Sequence, residues 1–160
     1  VTSQDFERTI LVAANTLPPS WHLDITVQTP YLYHFFPEIN TQIYSDLTSS
    51  SELKTYVLTH ALSRAQCSRL GQSLGLWAKR FHTWAAAPEQ EKLRETMKGN
   101  SAMRDLKYNI NYTNLVATID DFPAILERSR KVFEVVAKDV KESLDKGEGT
   151  LIHGDFWSGK

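Results

Sequence analysis

Residues 151–160 read Leu151-Ile152-His153-Gly154-Asp155-Phe156-Trp157-Ser158-Gly159-Lys160, and the fold assignment turns on this stretch. Thr150-Leu151-Ile152 predicts a short strand. It delivers His153 and Asp155, two residues apart, onto a polar loop backed by the aromatic pair Phe156-Trp157. Imidazole and carboxylate are both zinc ligands, but a zinc site needs further ligands that the sequence does not place. Immediately upstream, Asp120 or Asp121 can cap a helix that has Pro123 in its first turn. Phe122, Ile125, Leu126, Val132, Phe133, Val136, Val140 and Leu144 are its expected buried face, and Gly147 and Gly149 end it.

The 160 residues suffice for one domain, or one domain and part of another, with a real core. Eighteen Lys+Arg against 19 Asp+Glu give a net charge of −1, so nothing draws the chain as a whole to nucleic acid or an anionic membrane. The hydrophobic fraction of 41% is that of a soluble globular protein, and no apolar run approaches a membrane span. The first residues lack the layout of a signal peptide, and the single Cys67 excludes an internal disulfide and multi-cysteine zinc sites. A cytoplasmic protein is expected, with no nucleic-acid or membrane partner.

Two regions differ in character. In the first, Thr2 and Asp5 have capping-box spacing, and Phe6, Ile10, Ala13, Ala14 and Leu17 predict a helix over 3–16, stopped by Pro18-Pro19. Residues 25–28 and 31–36 read as strands. Pro37-Glu38-Ile39-Asn40 reads as a turn, with 41–44 returning to pair with 31–36. The second region is helical. A helix is expected over 51–61, and another after Ser63. Leu70, Leu74, Trp77, Phe81 and Trp84 step by 4, 3, 4 and 3 along a single apolar stripe, which reads as core. Gly71 and Gly75 weaken that helix, and four residues apart they leave room for another backbone. A charged helix runs from Pro88 to about Met97 with a solvated face. Apolar spacing over 101–116 is irregular and fits neither period. No strand–helix alternation occurs, which argues against a doubly wound sheet.

Protein kinases place H-R-D-x-x-x-x-N on the loop after such a strand: the aspartate accepts the proton of the attacking hydroxyl and the asparagine holds magnesium. Leu151–Lys160 resembles the catalytic loop of the aminoglycoside phosphotransferase-like family, whose version is H-G-D-x-x-x-x-N. The likeness extends upstream. Pro30–Tyr33 through Ile43–Leu47 resembles the last two strands of the family's nucleotide-binding lobe and its hinge, and Leu70–His82 its long central helix. The fold implied is α+β and protein-kinase-like, but incomplete. Residues 1–47 are the end of the small β-rich nucleotide lobe, with its helix, β-hairpin and hinge. Residues 48–160 are a mainly helical lobe ending in the catalytic loop.

The resemblance implies transfer of the ATP γ-phosphate, with Mg2+, to a hydroxyl of a small-molecule acceptor. Asp155 matches the catalytic aspartate and His153 the histidine that positions the loop. Backbone groups at Ser45 and Leu47 match the hinge that receives adenine. Glu7 matches the glutamate that pairs with the phosphate-holding lysine. Lys160 stands where the family has its metal-binding asparagine, and an ammonium has only donors and cannot ligate magnesium. The glycine-rich loop, the phosphate-holding lysine and the second metal ligand have no counterpart in the 160 residues. A fragment or truncated gene product is therefore expected, impaired in turnover. Two alternatives stand beside this reading. One is a non-catalytic kinase-like remnant that binds a nucleotide or a protein. The other is a helical interaction module. Acceptor identity and oligomeric state are not legible.

Overall fold

A computed structural model of the chain describes residues 3–147 and 150–152. They pack as two compact units, one built on the residues up to Arg94 together with Leu151 and Ile152, the other on Glu95–Thr150. This division is one of packing. The division at residue 47 is one of role and remains an expectation.

The first unit opens with α1 (Ser3–Ala14), whose proposed capping threonine, Thr2, lies outside the described residues. Asn15 ties the end of α1 to the segment that enters the second hairpin: its side-chain amide donates to the Pro30 carbonyl (2.9 Å) and accepts from the Leu32 N–H (3.1 Å). Two antiparallel hairpins come after α1. β1 (Ser20–His22) pairs with β2 (Ile25–Val27), and β3 (Leu32–Phe36) with β4 (Thr41–Tyr44). In the second hairpin Phe36 faces Thr41, and the register shifts between Leu32 and His34, a bulge that takes Tyr33 out of the pairing. Its turn is a 3₁₀ segment, Pro37–Ile39, closed by Asn40 at φ 49°, a left-handed conformation that asparagine tolerates well. The sequence does not announce the first hairpin. Its two-residue turn is Leu23-Asp24, with Leu23 at φ 54°, and lacks the Asn-Gly or Asp-Gly signal that marks such turns.

After α2 (Leu53–Thr59), Ser63 begins α3 (Arg64–Ala86) with a full capping box: its hydroxyl accepts from the Gln66 N–H, and the Gln66 side chain accepts from its own N–H. The apolar stripe of α3 faces inward. Trp77 and Phe81 are buried, and Leu70, Leu74 and Trp84 half-buried. The helix packs on β1 and β2. Its last carbonyls, which the helix cannot satisfy internally, are taken by Arg94, which donates to Ala85 and Ala87 at 2.7 Å each. Arg94 lies within the charged run expected to be wholly solvated. That run forms a 3₁₀ turn, Pro88–Gln90, followed by α4 (Glu91–Lys98), and Leu93 within it is buried. Gly71 and Gly75 do not serve a close approach: a β-carbon on either would meet open space.

In the second unit the irregular stretch is helical. α5 (Ser101–Tyr108), capped by the Asn100 side chain, passes through a π turn (Asn109–Thr113) into α6 (Asn114–Asp121). A π turn inserts a residue and rotates everything after it, so no single period fits the sequence across it. Phe122, restrained by the following proline, breaks the helix at φ −130°. α7 (Pro123–Leu126), a 3₁₀ turn and α8 (Arg130–Asp145) replace the one long helix expected. Gly147, at φ 65°, ends α8. The buried face also differs from expectation. Leu126, Phe133, Val140 and Leu144 are half-buried and Ala137 is buried, whereas Phe122, Ile125, Val132 and Val136 are exposed. The face is set by what lies opposite: α8 packs on α5, the π turn and α6, with Ile119 fully buried.

Candidate functional site

The hinge residues come directly after β4. The Ser45 N–H donates to the Tyr31 carbonyl (2.8 Å), and its hydroxyl accepts from the Tyr31 N–H (3.0 Å), closing the open end of the hairpin. Two residues on, the Leu47 carbonyl accepts from Ser50 (3.0 Å) in a turn where Ser49 adopts φ 57°. This leaves the carbonyl of Ser45 and the N–H of Leu47 with no hydrogen-bond partner among the described residues. One acceptor and one donor on alternate residues suit a purine edge, which presents a donor beside an acceptor. The residues present therefore fit the role the resemblance implies for them.

Glu7, on α1, is exposed and has no cation paired with it among the described residues. It instead accepts a hydrogen bond from the Gln42 side chain on β4 (3.3 Å). The Tyr44 hydroxyl donates to the same Gln42. The acidity of Tyr44 is weakened, first by partial burial and then by the nearby Glu7 carboxylate. Glu7, Gln42 and Tyr44 thus form a small polar cluster joining α1 to β4, one strand end away from Ser45.

His153, Asp155 and Lys160 lie outside the described residues, as does Gly149. Thr150–Ile152 is not in a strand, and Ile152 is exposed. The strand expected there needs a partner edge to supply its hydrogen bonds. Neither hairpin extends to it: each is a two-stranded sheet complete in its own pair. Among the described residues no group of three or more His, Cys, Asp or Glu side chains is arranged to hold a metal, and no helix is long and apolar enough to cross a membrane.

The second unit carries an open groove of about 460 Å³ between the π turn and α8, lined by Tyr108, Tyr112, Glu134, Lys138, Lys141 and Glu142 among others. Tyr108 and Tyr112 stack at 5.8 Å, and the Lys141 ammonium sits 5.5 Å from the Tyr108 ring. Lys141 is itself held by Asp145 (2.9 Å) and Asp105 (3.7 Å), which raise its pKa, the Asp145 hydrogen bond most. Two lysines against two glutamates leave the lining neutral. The sequence signal for this groove, Tyr108 and Tyr112 at helical spacing, is hidden within the stretch that fits neither period.

No family model matches the chain, and no solved structure matches it. Among curated proteins the chain is similar to Phosphotransferase FrzJ of Cladobotryum sp, with 29% identity over 144 residues. The match takes in 86% of this chain and 37% of that protein, so the chain spans little more than a third of its relative's length. It supports a phosphotransferase-like relationship.

Proposed function

We propose that the chain is part of an ATP-dependent phosphotransferase of the aminoglycoside phosphotransferase-like family, acting on a hydroxyl of a small molecule. One observation carries the reading: a chain that reads His153-Gly154-Asp155 after a short apolar run is similar, over most of its length, to a protein named as a phosphotransferase. ATP supplies the phosphoryl group, with Mg2+ neutralising its charge. The Asp155 carboxylate accepts the proton of the acceptor hydroxyl as its oxygen bonds to the γ-phosphorus. His153 positions that loop. The Ser45 carbonyl and the Leu47 N–H hold the adenine edge, and their unpartnered state supports this part of the reading. Glu7 stands as the partner of the phosphate-holding lysine, and its carboxylate accepts from Gln42 (3.3 Å).

Lys160 favours a second reading, a module that binds nucleotide without turning it over, because its ammonium cannot replace a metal-binding asparagine. Thermal melting with Mg-ATP, together with ADP release in the presence of candidate alcohols, tests both. Mg-ATP at tenfold over its dissociation constant should raise the melting temperature by about 3–6 °C. Acceptor-dependent ADP release that Asp155→Asn abolishes, with the thermal shift retained, supports transfer. A shift without release supports the binding module. No shift at millimolar Mg-ATP overturns both.

A further inference from the structure

The first unit has a groove lined by none of the residues given a part in the proposed phosphoryl transfer. It lies where the turn after α1 meets the C-terminal half of α3, has a volume of about 370 Å³, and is lined by Leu17, Leu76, Lys79, Arg80, Thr83 and Trp84, with Ala87 at its end. It is an open groove, not an enclosed cavity. The walls are apolar, and both ionised groups in the lining are cations.

Neither cation has a carboxylate within ion-pair distance among the described residues, a state they share with Arg8, Lys54, Arg64 and others. Arg80 spends one N–H on the Pro19 carbonyl (3.3 Å), which fixes its guanidinium at the rim and leaves its other donors unspent. The imbalance belongs to the whole helix. α3 has four basic residues (Arg64, Arg69, Lys79, Arg80) and no acidic one in 23. Two cations thus stand beside an indole and two leucines, with no anion in the lining.

We propose that this groove binds a small amphipathic anion: a molecule with one carboxylate or similar anionic head, held by Lys79 and Arg80, and an apolar body laid against Leu17, Leu76 and Trp84. Lys79 and Arg80 both line the groove, and charge-assisted hydrogen bonds from an ammonium or a guanidinium to an anionic head are the strong kind. A bilayer surface would need a broad basic apolar face, which a concave groove on a chain of net charge −1 does not supply.

Octanoate is the probe, titrated calorimetrically into the full 160-residue chain, with acetate and octyltrimethylammonium as controls. Saturable octanoate binding is expected, with a change in tryptophan emission that Trp84→Phe removes. Acetate lacks the body and octyltrimethylammonium the charge, and neither should compete. The Lys79→Gln, Arg80→Gln double variant should weaken octanoate roughly tenfold or more. Leu76→Glu, at a partly exposed position where folding is safe, should abolish binding. The proposal is overturned by an absence of saturable binding, by octyltrimethylammonium binding as well as octanoate, or by affinity unchanged in the folded double variant or in Leu76→Glu. Sedimentation of the chain with phosphatidylglycerol vesicles while octanoate is ignored overturns it in favour of a membrane surface. None of these outcomes depends on whether Asp155 transfers phosphate.

Discussion

Phe81→Ala should be among the most destabilising single changes in the first unit. Phe81 is 5% exposed. Its ring stacks on Trp77 (centroids 5.5 Å apart, planes 16° apart) and lies tilted against Trp84 at 5.7 Å. It sits where α3 carries the packing of the unit, with β1 and β2 against the helix. Truncation removes on the order of 100 Å² of buried apolar surface, about 2.5 kcal/mol of transfer free energy. The void adds to that, giving about 3–5 kcal/mol in total, the usual cost of Phe→Ala in a core. Phe81→Leu keeps most of the volume and should cost under about 1.5 kcal/mol plus the lost ring contacts. Leu76→Ala, one helical turn away but partly exposed, should cost about 0.5 kcal/mol or less. The assay is equilibrium urea unfolding followed by far-UV circular dichroism and by tryptophan emission. Non-coincident transitions would mean that the two compact units unfold separately, and the Phe81 variants should then move only one of them. A Phe81→Ala cost near 1 kcal/mol, or one equal to that of Leu76→Ala, would refute the assignment of the stripe as core.

Four further expectations rest on local geometry. Gly71→Ala and Gly75→Ala should each stabilise the chain by about 0.5–1 kcal/mol, because a helical backbone gains from alanine and open space receives the methyl group; a loss in urea titration would show that the glycines are needed. Leu23→Gly should raise stability by about 1 kcal/mol by relieving a left-handed leucine that is 71% exposed; unchanged melting would refute strain in that turn. Ser63→Ala should cost about 1 kcal/mol and increase hydrogen exchange at the Gln66 amide, whose capping bond it removes. The Arg130 guanidinium, bonded to Glu127 (2.8–3.0 Å) and Asp120 (2.6 Å), holds the Glu127 carboxyl below its ordinary pKa, chiefly through hydrogen bonding. A depressed carboxylate contributes stability that is complete above its unfolded pKa and lost as pH falls through its folded one. The melting difference between wild type and Arg130→Met should therefore be level above about pH 5 and shrink as pH falls below about 4; a difference that widens in acid would refute it.

Most helices are legible from apolar spacing and from end signals: Ser63, Pro88 and Gly147 each mark a boundary close to where it falls. The failures have particular causes. Leu23-Asp24 makes a tight hairpin with a leucine at the positive-φ position, held by the packing of β1 and β2 on α3 and by the Arg69–Asp24 ion pair (3.2 Å). The π turn at Asn109–Thr113 breaks the period that identifies a helix. On α8 two apolar stripes compete, one through Val132 and Val136 and one through Phe133 and Val140. Sequence alone does not choose between them, because the choice is made by α5, the π turn and α6 opposite. The stretch expected to be a catalytic loop is the reverse case: the expectation comes from motif, and His153 and Asp155 lie outside the described residues. At Ser45 and Leu47, the residues expected to form a hinge, the sequence does not show which backbone groups are bonded; among the described residues the Ser45 carbonyl and the Leu47 N–H are not.

Charge separates the two longest helices in a way that apolar pattern does not. α8 carries four basic and four acidic residues, set at spacings that pair Lys138 with Glu142 and Lys141 with Asp145. Such pairs support a helix on their own account, so the charges of α8 need no function. α3 is longer and has four basic residues and no acidic one. Its fold is already accounted for by the capping box at Ser63, the buried Trp77 and Phe81, and the Arg94 bonds to its last carbonyls. None of these uses Lys79 or Arg80. Two of the four basic residues, Lys79 and Arg80, line the apolar groove, where the proposed anionic ligand would answer them. Arg80 also has a structural part through its hydrogen bond to the Pro19 carbonyl (3.3 Å), which Lys79 lacks. Lys79→Gln alone should therefore weaken octanoate while leaving the melting temperature within about 1 °C of wild type. A melting loss of several degrees with unchanged affinity would return Lys79 to the fold and leave the groove without its recognition element.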